Sequence, residues 1–530
     1  MEEIQKHLHQ LKSGKASNDI DSELLKKCEH PIMLEVMQRA ARNLWSTLDL
    51  PASWGNSRLK TLWKGKGSKS DPSKYRGISI GSTLCKLLVN IILERIRPWY
   101  EAQLSEEQNG FRENRGTTDG IYSVKRVQQI SNRKKQPLFL LFIDLTAAFD
   151  HVPRKWLFDS IRLRLSDGEN QKLFEILESL YQKTTLTYEE AQTTFNVTSG
   201  VRQGGPESPP LFNLYIDFVM RVFMNKCVAD NSIRFFEHRY RINARSVSRE
   251  ERLRMRNENV KMWGLSSVPW NGYADDLILF LVDLSSLQKA ATTLNDVFDN
   301  YGLCINETKT ETMILNYKFL EGDDEYPRSV INLRNIPLKN STEFKYLGSY
   351  LSNNDPNTGD IEVNNRIQMA NSKFASMSNL LQNSSIHLTT RIKFLNSFVR
   401  SRLTYSCQNW NLTVGQFERL DVTYRKLLRR MVRGGFKRCD ANEGDFRYKI
   451  DNEKLHAICH TSDVSNFVRQ QQKNYASHVV RMPVERYAKQ LMFNDDKYHR
   501  VGRHTPDLLE QVIKDNNCSI DMFINGCMKF

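Results

Sequence analysis

The sequence predicts an α+β fold, and three observations carry that prediction. Residues 137–144, Pro137-Leu-Phe-Leu-Leu-Phe-Ile-Asp144, form an apolar run of strand length that closes on an acid. Residues 270–282 place Asn271-Gly272 and then Asp275-Asp276 between β-rich stretches, the pattern of a hairpin with its acids at the tip. Further along, Phe417, Leu420, Tyr424, Leu427, Leu428 and Met431 recur at helical spacing while Arg419, Arg425, Lys426, Arg429 and Arg430 fill the opposite face. Strands with helices packed on them, followed by a run of helices, give the α+β class.

Composition bounds the partners. The chain has 530 residues, enough for several cores, and 76 Lys and Arg against 61 Asp and Glu give a net charge of +15. Such an excess suits a polyanion. No apolar run reaches the roughly 20 residues of a membrane span, so no membrane partner is expected. The nine cysteines are odd in number and scattered, and no secretory signal is recognisable, so a reducing, intracellular compartment is expected, nucleus or cytoplasm open. No short Cys pair with zinc-ligand spacing occurs among Cys439, Cys459, Cys518 and Cys527.

The elements follow in chain order. Between Trp54 and Arg76 lie seven basic residues (Arg58, Lys60, Lys64, Lys66, Lys69, Lys74 and Arg76) against one acid, Asp71, with Gly65 and Gly67 forming a hairpin tip. Arg grips phosphate with a bidentate fork and Lys neutralises it as a point charge, so this loop suits a triphosphate. A charged group at the end of a buried strand, as at Asp144, is costly unless paired or liganded. Beside an Asp275-Asp276 hairpin, Asp144 would meet two more carboxylates, and a divalent cation with hard-oxygen preference, Mg²⁺ or Mn²⁺, is the natural counter-charge. Two such ions roughly 4 Å apart would serve in-line phosphoryl transfer. Gly200, Gly204 and Gly205 flank Gln203, ahead of a helix-like run from Leu211. Residues 228–262 carry eight arginines and one lysine against five acids and read as an exposed basic arm. Ile392, Leu395, Phe398, Val399 and Leu403 mark another helix before the one at 417–431.

At these residues the chain resembles the reverse transcriptases of non-LTR (LINE-like) retrotransposons. Phe142-Ile-Asp144-Leu-Thr-Ala-Ala-Phe149-Asp150 is similar to that family's motif A, Gly200-Val-Arg202-Gln203-Gly-Gly205-Pro-Glu-Ser208 to motif B, and Tyr273-Ala-Asp275-Asp276 to motif C. Tyr75-Arg76-Gly-Ile-Ser-Ile80 and Gln108-Asn-Gly-Phe-Arg112 resemble the fingers motifs, Tyr301-Gly-Leu-Cys-Ile-Asn306-Glu-Thr-Lys309 motif D, and Phe344-Lys-Tyr346-Leu-Gly348 the primer grip. Two positions depart from the pattern: Gly205 stands where an acid is usual, and Pro210 where a large aliphatic is.

The resemblance implies a right-hand polymerase: fingers over 1–136, palm over 137–320 with the basic insertion at 228–262, primer grip over 321–352, helical thumb over 353–436, and a mixed C-terminal region over 437–530. It implies an RNA-directed DNA polymerase extending a DNA primer 3′-hydroxyl on an RNA template with deoxynucleoside triphosphates, in target-primed synthesis. Asp144, Asp275 and Asp276 would be catalytic and hold the metal, with Asp150 bonding locally. Lys66, Lys69, Arg76, Phe149, Gln203 and Lys309 would meet the nucleotide, Phe149 excluding the ribose 2′-hydroxyl and Lys309 protonating pyrophosphate. Arg112, Arg202, Tyr346 and Gly348 would contact template or primer. No nuclease-like segment is recognised, so an endonuclease would come from another chain. The alternative is a catalytically inactive RNA-binding remnant of a retroelement, and an RNA-copying RNA polymerase is a rival that Phe149 and Tyr273-Ala-Asp-Asp oppose.

Overall fold

The computed structural model of the chain describes residues 2–27, 30–48, 50–182, 184–316, 330–353, 359–432, 436–438, 446–448, 450–494 and 506–528. Cys439 lies outside them. Near the start, β1 (Asn56–Trp63) and β2 (Tyr75–Ile80) form a hairpin whose connecting loop turns through Gly65 and Gly67, both at positive φ. Helix α1 (Thr83–Gln103) starts on a Ser82 cap that accepts from the Cys85 amide, and α2 (Thr117–Lys134) follows.

Strand β3 (Leu138–Ile143) is buried at every residue because both its faces are covered: Phe139, Leu141 and Ile143 enter one core, and Leu138, Leu140 and Phe142 another. That is why its sequence is continuously apolar rather than alternating. Strands β4 (Thr185–Tyr188) and β5 (Thr193–Asn196) join the β1–β2 hairpin in a sheet of order β2-β1-β4-β5. Two strands from inside the segment read as palm thus complete the sheet of the segment read as fingers. Helix α3 (Ser208–Asp230) carries prolines in its first turn, where a missing N–H costs nothing, so Pro210 is accommodated.

Beyond α3 come β6 (Phe236–Arg241), α4 (Arg249–Asn257) and β7 (Trp263–Val268), with β6 antiparallel to β7. Then β8 (Trp270–Tyr273), β9 (Asp276–Leu281), α5 (Leu284–Asn300), β10 (Glu311–Leu315) and β11 (Lys339–Asn340) complete the central sheet, order β11-β10-β3-β9-β8. Hairpin β12 (Glu343–Tyr346) and β13 (Ser349–Ser352) leads into helices α6 (Gly359–Ser376) and α7 (Val414–Val432), whose apolar stripes share one core with Leu395, Val399 and Leu403. The helix expected over 392–403 forms, with a π-helical stretch at Leu395–Arg400.

The segment 228–262, expected to be an exposed arm, is folded. Ile242, Val247 and Met255 are buried with Ala476, Val479 and Val480 of α8 (Val464–Arg481) and with Leu509 and Ile524 of two later helices, α10 (Leu508–Asp515) and α11 (Ile520–Cys527). Between them, α9 (Tyr487–Met492) sends Leu491 into the core beneath the central sheet. Apolar residues spaced through the arginine-rich stretch have a partner surface more than 200 positions away, which a local reading of charge does not see. Among the described residues no helix is long and apolar enough to cross a membrane.

Candidate active site

Register decides where the acids meet. Strands β3 and β9 pair antiparallel from Phe139 opposite Leu281 to Ile143 opposite Leu277, so the next rung brings Asp144 level with Asp276. In the β8–β9 hairpin Tyr273 pairs with Asp276, leaving Ala274 and Asp275 as a two-residue tip, with Ala274 at φ 58°. Asp144 is held from the other side: its amide donates to Thr310 Oγ1 (3.2 Å) and its carbonyl accepts from the Asn306 amide (2.8 Å).

The electrostatics fit a cation site. Loss of hydration raises the Asp275 pKa and nearby Asp144 adds to it, while Arg76 opposes. Asp276 is pushed up to about 6, first by loss of hydration and then by Asp275 and Asp144. Carboxylates held against their own repulsion offer hard oxygen ligands of the kind magnesium takes. Among the described residues, however, no three His, Cys, Asp or Glu side chains are gathered as a finished metal cage, and Lys309 Nζ sits 3.1 Å from Asp144 Oδ2 as its counter-charge.

The glycine-rich loop lies beside motif A. Gln203 Nε2 donates to both Asp150 oxygens (2.9 and 3.1 Å), and its carbonyl accepts from the Ser79 amide (2.7 Å). Asp150 thus anchors Gln203, and its own pKa is raised by burial. A Cβ at Gly200, which has φ +78°, would lie 2.7 Å from the Asp150 carbonyl oxygen. Phe149 stacks on Phe212 with ring centroids 4.3 Å apart and 9° between planes.

Other candidates are placed differently. Lys66 is exposed on the β1–β2 loop, and Lys69 Nζ lies 5.4 Å over the Trp63 ring. Arg112 and Arg202, expected on template or primer, face inward. Arg112 bonds Glu101 Oε2 (2.9 Å) and the carbonyls of Ser105, Gln108 and Glu101, whereas Arg202 grips Glu207 Oε1 through Nε (2.9 Å) and Nη2 (2.8 Å). They brace the loops on which they sit. Tyr346 is buried and its hydroxyl accepts from Asn271 Nδ2 (3.0 Å), behind the β8–β9 hairpin. Gly348 has φ +81°, and its carbonyl accepts from Arg366.

Sequence reasoning missed the clamp on the hairpin. Gln108, fully buried, accepts at Oε1 from the amides of Ala274 (2.9 Å) and Gly110 (2.9 Å), and donates from Nε2 to the Ala274 carbonyl (3.3 Å). Asn109 donates to Asn271 Oδ1 (2.9 Å), and a Cβ on Gly110 would stand 2.5 Å from the Ala274 nitrogen. Adjacent polar residues in Gln108-Asn109-Gly110 were the available signal.

Residues 66–351, more than half of the chain, match the family model described as reverse transcriptase (RNA-dependent DNA polymerase). The chain belongs to that family, and its fold is the right-hand polymerase fold. It is similar to a retrovirus-related Pol polyprotein from a type-1 retrotransposable element R2 of Bradysia coprophila, 23% identical over 68% of this chain and 37% of that one. It is likewise similar to the Pol polyprotein from the type-2 element R2DM of Drosophila melanogaster, 25% identical over 64% of this chain and 29% of the relative. The chain therefore spans about a third of the length of these relatives. A solved apo telomerase from Candida tropicalis, truncated from its C-terminal domain, aligns with 60% of this chain and 58% of its own at 13% identity and a TM-score of 0.36.

Proposed function

We propose that the chain is an RNA-directed DNA polymerase that extends a DNA 3′-hydroxyl on an RNA template using deoxynucleoside triphosphates, as in target-primed retrotransposition. The observation that supports this reading best is the β3–β9 register, which brings the motif A acid level with the motif C hairpin inside a segment matching the polymerase family. Asp144, Asp275 and Asp276 would hold Mg²⁺, or Mn²⁺. A divalent ion held by these carboxylates would supply Lewis-acid activation of the attacking hydroxyl and charge stabilisation at the leaving pyrophosphate.

The chain's own residues supply position. Arg76, felt electrostatically at Asp275, would meet the triphosphate, and Lys66 and Lys69 lie on the β1–β2 loop, which would reach it too. Phe149, braced by Phe212, would exclude the 2′-hydroxyl. Gln203, fixed by Asp150, would orient the nucleotide, and Lys309 would carry a proton to pyrophosphate. Tyr346 and Gly348 would shape the backbone path of the primer end.

Primer extension on a DNA-primed RNA template with Mg²⁺ tests the reading. Deoxynucleotide product that vanishes with Asp275→Ala is expected. RNA binding without extension would select the inactive remnant, and ribonucleotide product from the parent chain, rather than only from Phe149→Ala, would select the RNA polymerase.

A further inference from the structure

The β6–β7 ribbon carries a surface for which the polymerase site has no use. Its register pairs Glu237 with Ser267, Arg239 with Leu265, and Arg241 with Trp263, and these three rungs share one face because alternate strand residues point the same way. The other face is occupied: Phe236, His238, Ser266 and Val268 are buried, Ser266 Oγ donates to Gln490 Oε1 (2.7 Å), and Asn494 Nδ2 lies 3.2 Å from His238 Nδ1. Among the described residues the outward rungs have no such cover. Trp263 is 67% exposed and Leu265 62%, while Arg239 and Arg241 are exposed without a side-chain ion pair among the described residues. Together with Tyr240 and Gly264 they line a concavity of about 600 Å³.

An indole with two exposed guanidiniums beside it matches the chemistry of a single-stranded nucleic acid, where bases stack on aromatic rings and phosphates meet arginines. Arg239 and Arg241 are two residues apart on one strand, about 6.6 Å, and so can meet successive phosphates. Arg249, Arg252, Arg256 and Lys261 of the same inserted segment are also exposed, interleaved with Glu250 and Glu258. An apolar protein partner would have to desolvate both guanidiniums, with only Glu237 of the same face beside Arg239 among the described ribbon residues.

The surface stands apart from the carboxylates. β9 runs from Asp276 at the hairpin tip to Leu281, where Phe235 bridges to it, about 17 Å farther along the strand. We propose that this ribbon is a second binding site, for single-stranded RNA outside the polymerase cleft, with Trp263 stacking a base and Arg239 and Arg241 holding the backbone. The choice of RNA over DNA rests on the proposed polymerase reading, in which template beyond the duplex is the unpaired strand.

The test compares the full chain bound to a DNA-primed RNA template with a long unpaired template overhang and to the same duplex cut flush. Trp263→Ala should weaken the overhang complex about tenfold, leave the flush complex unchanged, and be rescued by Trp263→Phe. Arg239→Gln with Arg241→Gln should lower the slope of log affinity against log salt by about 1.4 on the overhang substrate alone. Heparin, a polyanion without bases, should lose affinity in the double arginine variant and not in Trp263→Ala. Equal binding of both substrates by wild type and Trp263→Ala, equal loss on both, or preference for a DNA overhang overturns the proposal. A change of oligomeric state or of anionic-vesicle binding in Trp263→Ala, with RNA affinity intact, would assign the surface to protein or membrane instead. These readouts are affinities, so they stand whether or not the chain extends a primer.

Discussion

At the hairpin tip one amide side chain does the work of a brace. Gln108 satisfies the Ala274 and Gly110 amides and the Ala274 carbonyl at once, and Ala274 immediately precedes Asp275. Buried polar groups left without partners cost about 1 to 3 kcal/mol each, and a misplacement of about 1 Å at a reacting centre can cost about a hundredfold in rate. Gln108→Leu is therefore expected to lower kcat for primer extension about 10- to 100-fold with little change in nucleotide KM; steady-state kinetics on the folded variant check it, and an unchanged kcat removes Gln108 from the positioning of Asp275. The departure at Gly205 has a physical account of the same kind. A Cβ there would lie 2.4 Å from Glu207 Oε1, and Arg202 pins that fully buried carboxylate, so the acid of this loop stands two residues on and the glycine makes room for it. Gly205→Ala should destabilise the protein by about 1 to 3 kcal/mol, as overpacking does, measured by denaturant unfolding. A shift within a few tenths of a kcal/mol would show that Glu207 can swing away.

At the scale of elements, the β12–β13 hairpin is tied to α6 through a buried acid. Glu362 on α6 accepts from Ser349 Oγ (2.6 Å) and the Tyr350 amide (2.8 Å) of β13 and pairs with Arg366 Nε (2.6 Å), with Lys125 Nζ of α2 at 3.5 Å. Burial alone would raise its pKa, but Lys125 and Arg366 prevail and hold it below the usual carboxylate range. Glu362→Ala leaves buried cations facing each other and should cost about 3 to 5 kcal/mol; a loss below about 1 kcal/mol by urea unfolding would mean that the hairpin and helix are coupled elsewhere. Which of these elements were legible depended on range. β3, the β8–β9 hairpin and α7 announce themselves by local pattern, because an unbroken apolar run, a two-residue tip and a helical stripe are all set within about ten residues. The inward turn of Arg112 and Arg202 was not legible, since their acids, Glu101 and Glu207, become partners only after the chain folds back, and an arginine's sequence neighbours look the same whether it meets phosphate or carboxylate.

Across the whole molecule, the C-terminal helices are fastened to the body of the chain rather than trailing from it. Tyr475 donates to Asp119 Oδ1 (2.8 Å), Arg126 pairs with Asp507 (3.0 Å), and Arg133 with Glu510 (2.9 Å), all reaching from α8 and α10 to α2. The sequence hid this because contacts separated by more than 350 positions have no local period. The lock on the inserted segment is Lys489 of α9, which is fully buried and donates to the carbonyls of Ser246 (2.6 Å) and Met482 (2.7 Å). Burial lowers its pKa from 10.5 to about 8, only partly opposed by Glu251 and Glu485. The folded chain then binds fewer protons at this site than the unfolded chain between about pH 8 and 10.5, so this group makes folding more favourable as pH rises through that window, and below it carries the full cost of a buried charge. Lys489→Met removes the titration. Urea unfolding of both proteins near pH 7.5 and 9.5 should therefore show the wild type gaining about 2 kcal/mol on the variant as pH rises. A gap that stays constant would mean that Lys489 keeps its proton in the fold, with the two carbonyls and the nearby glutamates compensating its burial in full.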